Sequence, residues 1–147
     1  MKFFETKKDD RYTVIIGCGR LGASLANHIS DAGGNILVID RDKDAFKRLS
    51  QSFGGLTVVG DSTDYDTLGE AQITPETTII VLTGNDNTNI MLSLITKEVF
   101  HAKRVIARLY DPERITLCED HGIETICPSV MEGKMLRTMM EEGDKKQ

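Results

Sequence analysis

The amino-acid sequence predicts an α/β fold: a Rossmann-like, doubly wound, mostly parallel six-stranded sheet with helices on both faces. Three observations support this prediction. Six short apolar runs alternate with segments of helical periodicity, a glycine-rich turn follows the first run, and an aspartate closes the second. Strands that alternate with helices form parallel sheets, because right-handed crossovers bring the helices back onto the sheet.

The predicted strands are short and rich in β-branched residues, which favour extended backbone. They cover residues 12–16, 35–39, 57–59, 78–82, 104–107 and 124–127. The run at 78–82 is the most apolar, so we expect it near the centre of the sheet. Helical periodicity and end signals predict helices over 20–32, 43–53, 64–71 and 86–100, a fifth starting at 111, and a last one from 128 to about 140.

The length of 147 residues is that of one domain. We expect a flexible tail over 1–10, one α/β domain over 11–140 and a polar tail over 141–147. The net charge of −5 argues against nucleic acid as a partner. No apolar run approaches the roughly 20 residues that span a bilayer, so membrane insertion is not expected. Three cysteines and three histidines at scattered positions predict neither a disulfide framework nor a metal site, and a cytoplasmic location is the simpler interpretation.

The first strand leads into Gly17-Cys-Gly-Arg-Leu-Gly22, which fits the G-x-G-x-x-G pattern between a strand and a helix. In this pattern Gly17 permits a tight turn, Gly19 lets the backbone approach a pyrophosphate, and Gly22 lets the helix pack against the strand. The free N–H groups at the start of the helix favour an anion. The alternative is a glycine turn with no ligand.

An acid at the end of the second strand completes the pattern. Asp40 lies 23 residues after Gly17, where a carboxylate accepts hydrogen bonds from both ribose hydroxyls. The same carboxylate repels a 2′-phosphate and so disfavours NADP, although Arg41 beside it weakens that inference. The alternative is an unrelated helix-capping aspartate.

Arg20 lies between the second and third glycines. Arginine binds phosphate through two parallel hydrogen bonds, so Arg20 is predicted to contact a terminal phosphate. The alternative is an exposed arginine at a helix start, where a cation opposes the helix dipole.

The ends of the later strands are also polar, and ligands in open α/β sheets lie beyond these ends. Asp61 is a candidate acceptor for the adenine amino group, with Ser62 beside it. The fourth strand is followed by Thr83-Gly-Asn-Asp-Asn-Thr-Asn89, and Arg108 follows the fifth. Each of these residues also has a simpler explanation, since the same types shape turns without a ligand.

These motifs together resemble the RCK family, also called KTN or TrkA-N domains, over about residues 11–140. The resemblance rests on residues 17–22, Asp40-Arg-Asp42, Gly60-Asp61, residues 83–89 and Arg108-Leu-Tyr-Asp-Pro112. The spacing of Thr83, Asp86 and Asn89 is more distinctive than the glycine motif, which many dehydrogenases share.

The resemblance implies a cytoplasmic regulatory domain that binds NAD(H), ATP, ADP or AMP and gates a potassium channel or transporter. It places phosphates at Gly17, Gly19, Arg20, Leu21 and Arg108, the ribose at Asp40, and adenine near Asp61 and Ser62. The full candidate cofactor-binding set is Gly17, Cys18, Gly19, Arg20, Leu21, Asp40, Arg41, Asp61, Ser62, Thr83, Gly84, Asn85 and Arg108, with no catalytic residue and no metal ligand.

Related domains form dimers or larger rings and often carry a further C-terminal subdomain. The chain is therefore expected to be a stand-alone half of a system or a piece of a longer protein. Met131, Met135 and Met139 form an apolar stripe on the last helix that suits a partner subunit, or equally its own sheet. An NAD-dependent oxidoreductase or a redox-sensing domain is the alternative function. Neither an acid–base histidine at a strand end nor a basic DNA-binding module is evident.

Overall fold

The computed structural model describes residues 11–146 and has the predicted architecture. All six predicted strands are present, and their ends agree with the prediction to within one residue. They are β1 (Tyr12–Ile16), β2 (Asn35–Asp40), β3 (Leu56–Val59), β4 (Thr78–Val81), β5 (Arg104–Arg108) and β6 (Glu124–Ile126).

The strands form one sheet in the order β3-β2-β1-β4-β5-β6, and each neighbouring pair is parallel. Strand β4 is one of the two central strands, as its apolar sequence predicts. The direction of winding reverses between β1 and β4. A crevice therefore opens beyond the carboxyl ends of these two strands, where ligands bind in folds of this class.

Within residues 11–146, four α-helices and two short 3-10 helices connect the strands, and a fifth α-helix follows β6. The α-helices are α1 (Arg20–Asp31), α2 (Tyr65–Glu70), α3 (Asp86–Glu98), α4 (Ile115–Asp120) and α5 (Pro128–Lys145), and the 3-10 helices are Lys43–Arg48 and Pro112–Arg114. Pro112 occupies the start of its helix, as predicted, where its missing N–H costs nothing.

The helix predicted over 43–53 is wrong beyond Arg48. The structure has only a 3-10 helix over Lys43–Arg48, and Leu49 is extended. The backbone N–H of Ser50 donates to the Asn27 side chain of α1 at 2.9 Å. Side chains of α1 thus accept hydrogen bonds from backbone N–H groups that would otherwise bond within a longer helix. These tertiary contacts end the helix earlier than the apolar periodicity predicts.

The last helix is longer than predicted. Helix α5 continues to Lys145 and takes in most of the segment 141–147 that the sequence presents as a polar tail. Its extra turn is polar on all sides, so it has no apolar periodicity from which a helix could be predicted. The predicted tail over 1–10 lies outside the described residues.

The core has two layers, one on each face of the sheet. Helices α2, α3 and α4 cover one face, with Leu68, Leu92 and Cys118 buried against the strands. Helix α1 covers the other face over β1 and β2 through Ala23 and Ala26. Alanines at these positions allow the helix axis to lie close to the sheet.

The second face is less well covered over β4, β5 and β6. Ile80, Ile106 and Ile126 point to this face and are only half-buried. Helix α5 follows β6 but has no buried residue. Among the described residues, none of the helices is long and apolar enough to cross a membrane.

The contact between α1 and β1 predicts one effect on stability. A Cβ atom at Gly22 would lie 2.0 Å from the carbonyl oxygen of Gly17, which is backbone and cannot move aside. We expect Gly22→Ala to lower the free energy of unfolding by about 1–3 kcal/mol or more, as overpacking does. Urea denaturation measures this change.

Gly69→Ala is the matched control, because Gly69 lies in α2 and a Cβ added there would have no heavy atom within 4 Å. Alanine favours helix over glycine, so this variant should be as stable as the parent or more stable by up to about 1 kcal/mol. Equal stability of the Gly22 and Gly69 variants would contradict the packing argument.

Candidate ligand-binding cleft

A cleft of about 670 Å³ lies beyond the carboxyl ends of the central strands. It is open to solvent on one side and contains both acidic and basic side chains. The lining residues are Ile16, Gly17, Gly19, Ile39, Asp40, Arg41, Gly60, Asp61, Ser62, Thr83, Gly84, Asn85, Arg108, Thr63, Leu82 and Thr88. Ten of the thirteen candidate residues are therefore brought together; Cys18, Arg20 and Leu21 are not part of the lining.

The glycine turn forms the floor of the cleft. Gly17 has a φ of +108°, a conformation that favours glycine, and its N–H donates to the carbonyl of Ile39 at 2.8 Å. A Cβ at Gly17 would lie 2.7 Å from the carbonyl oxygen of Leu82. Only glycine therefore allows this turn to pass between β2 and β4.

Gly19 precedes helix α1 and borders open space, because a Cβ added there would have no heavy atom within 4 Å. No described side chain caps α1 by a hydrogen bond, and its first turn has no acidic residue. The N–H groups of this turn are thus available to an anion in the cleft, and the helix dipole favours one. The absence of a side chain at Gly19 leaves room for that anion to approach.

Asp40 is held at the opposite side of the turn by two backbone hydrogen bonds. Its Oδ2 accepts from the N–H of Cys18 and its Oδ1 from the N–H of Asp42, each at 2.8 Å. A carboxylate oxygen accepts more than one hydrogen bond, so both oxygens retain capacity for hydroxyl donors in the cleft. The two bonds fix the orientation of the carboxylate before any ligand arrives.

Cys18 contributes its backbone to this arrangement and not its thiol. The side chain is fully buried, and its Sγ lies 3.5 Å from the carbonyl of Ala45. Burial, reinforced by the nearby Asp40 carboxylate, raises the pKa of the Cys18 thiol. The thiol is therefore protonated at neutral pH and faces away from the cleft. Its position indicates that the Cys18 side chain packs in the core and does not bind a ligand.

Asp61 forms a compact turn at the end of β3. Its Oδ1 accepts from the N–H of Thr63 at 2.9 Å and from the Thr63 hydroxyl at 2.6 Å. These hydrogen bonds hold the pKa of the exposed Asp61 carboxyl below its usual value. Asp61 is thus an ionised acceptor on the same side of the cleft as Asp40, with Ser62 next to it.

Asn89 organises the opposite wall. Asn89 is fully buried. Its Nδ2 donates to the carbonyl of Thr83 at 3.0 Å and to that of Arg108 at 2.8 Å. Its Oδ1 accepts from the Thr83 N–H at 3.1 Å and from the Thr83 hydroxyl. One amide therefore joins the ends of β4 and β5. Asp86, on the same turn of α3, accepts from the N–H groups of Tyr110 at 2.8 Å and Asp111 at 2.9 Å.

Arg108 spans the wall that Asn89 supports. Its Nη2 donates to the carbonyls of Leu82 at 3.0 Å and Thr83 at 3.3 Å. Its Nε is buried and has no hydrogen-bond partner within the part of the chain that the structure describes. The guanidinium therefore has unused donor capacity at the edge of the cleft, which an anionic group can satisfy.

Arg20 and Leu21 lie on the outer side of the α1 start and are exposed. Arg20 faces a separate, shallow depression that it shares with Arg48 and Asn27. Arg20 does not line the main cleft of a single chain, so the lining residues do not support its predicted contact with a phosphate there. The part of the prediction that concerns these two side chains remains a prediction.

Sequence reasoning omitted six lining residues from the candidate set: Ile16, Ile39, Gly60, Thr63, Leu82 and Thr88. Three of them, Ile16, Ile39 and Leu82, are apolar and lie at or next to the end of a strand, so nothing marks them as more than core residues. Thr63 has a recognisable signal, because Asp-x-Thr after a strand is typical of the turn seen at Asp61. The supporting roles of Asp86 and Asn89 could not be predicted from the sequence, because they depend on which loops lie next to each other in the fold.

Comparison with known proteins shows that this chain is similar to TrkA-N domains and to part of several potassium uptake proteins. Residues 13–128 match the family model of the TrkA-N domain. The chain is 38% identical over 133 residues to the Trk system potassium uptake protein TrkA of Streptomyces coelicolor, covering 90% of this chain and 60% of the relative. It is 30% identical over 109 residues to a TrkA homologue of Pyrococcus horikoshii, covering 74% of this chain and 48% of the relative. The chain thus spans about half to three-fifths of the length of these relatives.

Solved structures agree with the sequence relatives. The GsuK channel bound to NAD has a TM-score of 0.77 and 26% identity, covering 92% of this chain and 24% of that chain. GsuK bound to ADP has a TM-score of 0.75 and 27% identity, covering 94% of this chain and 35% of that chain. With the match of the family model over most of the chain, these similarities show that the chain belongs to the TrkA-N domain family.

Proposed function

We propose that this chain binds an adenine nucleotide, NAD(H) or one of ATP, ADP and AMP, and regulates a membrane potassium channel or transporter. The observation that carries the proposal is the pairing, in one cleft, of an uncapped helix start behind Gly19 with the fixed carboxylate of Asp40. The first suits phosphate and the second suits a ribose.

The remaining lining residues fit the rest of an adenine nucleotide. Asp61 and Ser62 are suited to the adenine amino group beyond Asp40, and Arg108 to a phosphate from the opposite wall. Arg41 also lines the cleft, so the charge at the ribose does not by itself exclude a 2′-phosphate. The similar GsuK channel binds NAD in one structure, and GsuK binds ADP in another, which supports both a dinucleotide and a mononucleotide as candidates.

The cleft favours regulation over catalysis. Neither His28 nor His101 nor His121 lines it. Both oxygens of Asp86, the one carboxylate at the end of β4, accept backbone hydrogen bonds. A general base must lie within reach of the proton it abstracts, and Asp86 does not line the cleft. The named relatives are potassium uptake proteins.

We also propose that the chain acts in the cytoplasm as a homodimer or larger ring, attached to the inner face of the membrane through its transport partner. Helix α5 supports this assembly, since it has no buried residue and exposes six large apolar side chains, of which Met131, Met135 and Met139 form a stripe along one side. The other three are Val130, Leu136 and Met140. The half-buried Ile80, Ile106 and Ile126 offer a complementary apolar surface on a second copy.

Nucleotide binding predicts a loss of affinity in Asp40→Asn, which keeps the shape of the side chain but removes its charge. Each lost charge-assisted hydrogen bond to a ribose hydroxyl is worth about 1.5–3 kcal/mol, so the affinity for ADP or NAD should fall at least about tenfold. Isothermal titration calorimetry measures the affinity. Thermal-shift titration gives the ligand class, since a ligand at about 100 times its Kd adds about 2.7 kcal/mol of stability.

The control is Asp44→Asn, because Asp44 is exposed, pairs with Lys47 and does not line the cleft. It should bind nucleotide as the parent chain does. If ATP, ADP, AMP, NAD and NADH all fail to stabilise the parent chain, the nucleotide proposal is wrong.

Assembly through α5 predicts that Met135→Glu shifts the chain towards monomer, because a carboxylate would have to be buried in an apolar contact. Sedimentation equilibrium measures the dissociation constant, which we expect to rise at least about tenfold. Lys134→Glu introduces the same carboxylate on the polar side of α5, so it should change the dissociation constant of the assembly little. A parent chain that is monomeric at high concentration would overturn this assembly.

A further inference from the structure

Tyr110, in the loop after β5, contacts the cleft arginine, the start of α3 and the residue before α5. The Arg108 guanidinium carbon lies 5.1 Å from the centre of the Tyr110 ring. The Tyr110 N–H donates to Asp86 at 2.8 Å, and its carbonyl lies 3.8 Å from the Sγ of Cys127. Cys127 directly precedes α5.

Two contacts hold Tyr110 in place, one through its backbone and one through its ring. Asp86 holds the backbone of the loop by accepting from both Tyr110 and Asp111. The ring is half-exposed and rests on the charge of Arg108. The position of Tyr110 therefore depends on both contacts, and the contact made by the ring changes with the state of the guanidinium.

Arg108 has the features of a group that changes partners. In this structure one nitrogen donates to two carbonyls of the β4 end, while the buried Nε has no partner among the described residues. An anion in the cleft offers stronger, charge-assisted acceptors than those carbonyls. It also neutralises the charge that attracts the Tyr110 ring, since a cation–π contact depends on that charge.

We propose that Tyr110 couples occupancy of the cleft to the start of helix α5, through its contacts with Arg108 and Cys127. This inference rests on the proposed nucleotide binding and adds how it is transmitted. An anionic ligand group that engages Arg108 weakens its hold on the Tyr110 ring. The Tyr110 carbonyl and the Cys127 thiol next to it then readjust, and with them the first turn of α5.

The size of the effect follows from the contact that transmits it. An exposed cation–π contact changes an equilibrium by about two- to fivefold. A ligand shifts a conformational equilibrium only by its differential interaction with the two states, so coupling through this contact has the same limit.

The sequence contains no tryptophan, so one introduced indole reports without background. In Val130→Trp the indole lies in the first turn of α5, one turn from Cys127. ADP and NAD are titrated in this single-tryptophan chain, with binding measured separately by calorimetry. We expect nucleotide to change the indole emission. Adding Tyr110→Leu should abolish most of that change while nucleotide still binds, with an affinity altered no more than about fivefold.

Two further variants separate coupling from a general loss of structure. Tyr110→Phe keeps the aromatic ring and should retain the response. Tyr65→Leu makes the same change at an exposed tyrosine that contacts Phe100 and does not line the cleft, and should also retain it.

Binding without any change in emission, or an equal change with and without Tyr110→Leu, would overturn the coupling but leave nucleotide binding intact. Absence of heat and of thermal stabilisation with all five nucleotides (ATP, ADP, AMP, NAD and NADH) would remove the nucleotide proposal, and the coupling with it.

Discussion

The position of the cleft depends on how closely helix α1 approaches strand β1. Gly22 lies directly over the carbonyl of Gly17, with no space for a side chain between them. This contact brings the first turn of α1 to the carboxyl end of the sheet and directs its free N–H groups into the crevice between β1 and β4. A wider separation would move the positive end of the helix dipole away from the site where a phosphate can bind.

Each wall of the cleft is held by a polar side chain that bonds to backbone. Asp40 bonds to the glycine turn and to its own loop on one side. Asn89 and Asp86 join the loops after β4 and β5 on the other. These groups shape the cleft without a ligand, which reduces the ordering that binding requires. The distinctive family residues Asp86 and Asn89 thus act on the backbone, behind the residues that line the cleft.

Much of this structure could be predicted from the sequence because local signals and the fold agree. Strand positions followed from β-branched runs. Ten lining residues followed from the glycine motif, from the aspartate that completes it, and from the polar residues after the later strands. The 3-10 helix at Lys43–Arg48 could not be predicted, because its end depends on bonds from the Asn27 and Ser30 side chains of another element. The outward position of Arg20 likewise depends on the angle at which α1 begins.

Helix α5 shows the limit of periodicity most clearly. Its methionine stripe fits a core face and a contact face equally well, and only the absence of any buried residue in it distinguishes the two. The sheet face that a packed α5 would have covered keeps three half-buried isoleucines. Residues 11–146 thus leave two of their own apolar surfaces unpaired, and assembly with a second copy would bury them.

The central claim is that the cleft binds an adenine nucleotide with its phosphates at the start of α1 and its ribose on Asp40. A crystal structure of the chain with ADP tests this most directly. The account predicts phosphate oxygens within hydrogen-bonding distance of the N–H groups in the first turn of α1, and ribose hydroxyls donating to the Asp40 carboxylate. ADP bound at another surface, or an empty glycine turn at saturating ADP, would contradict it.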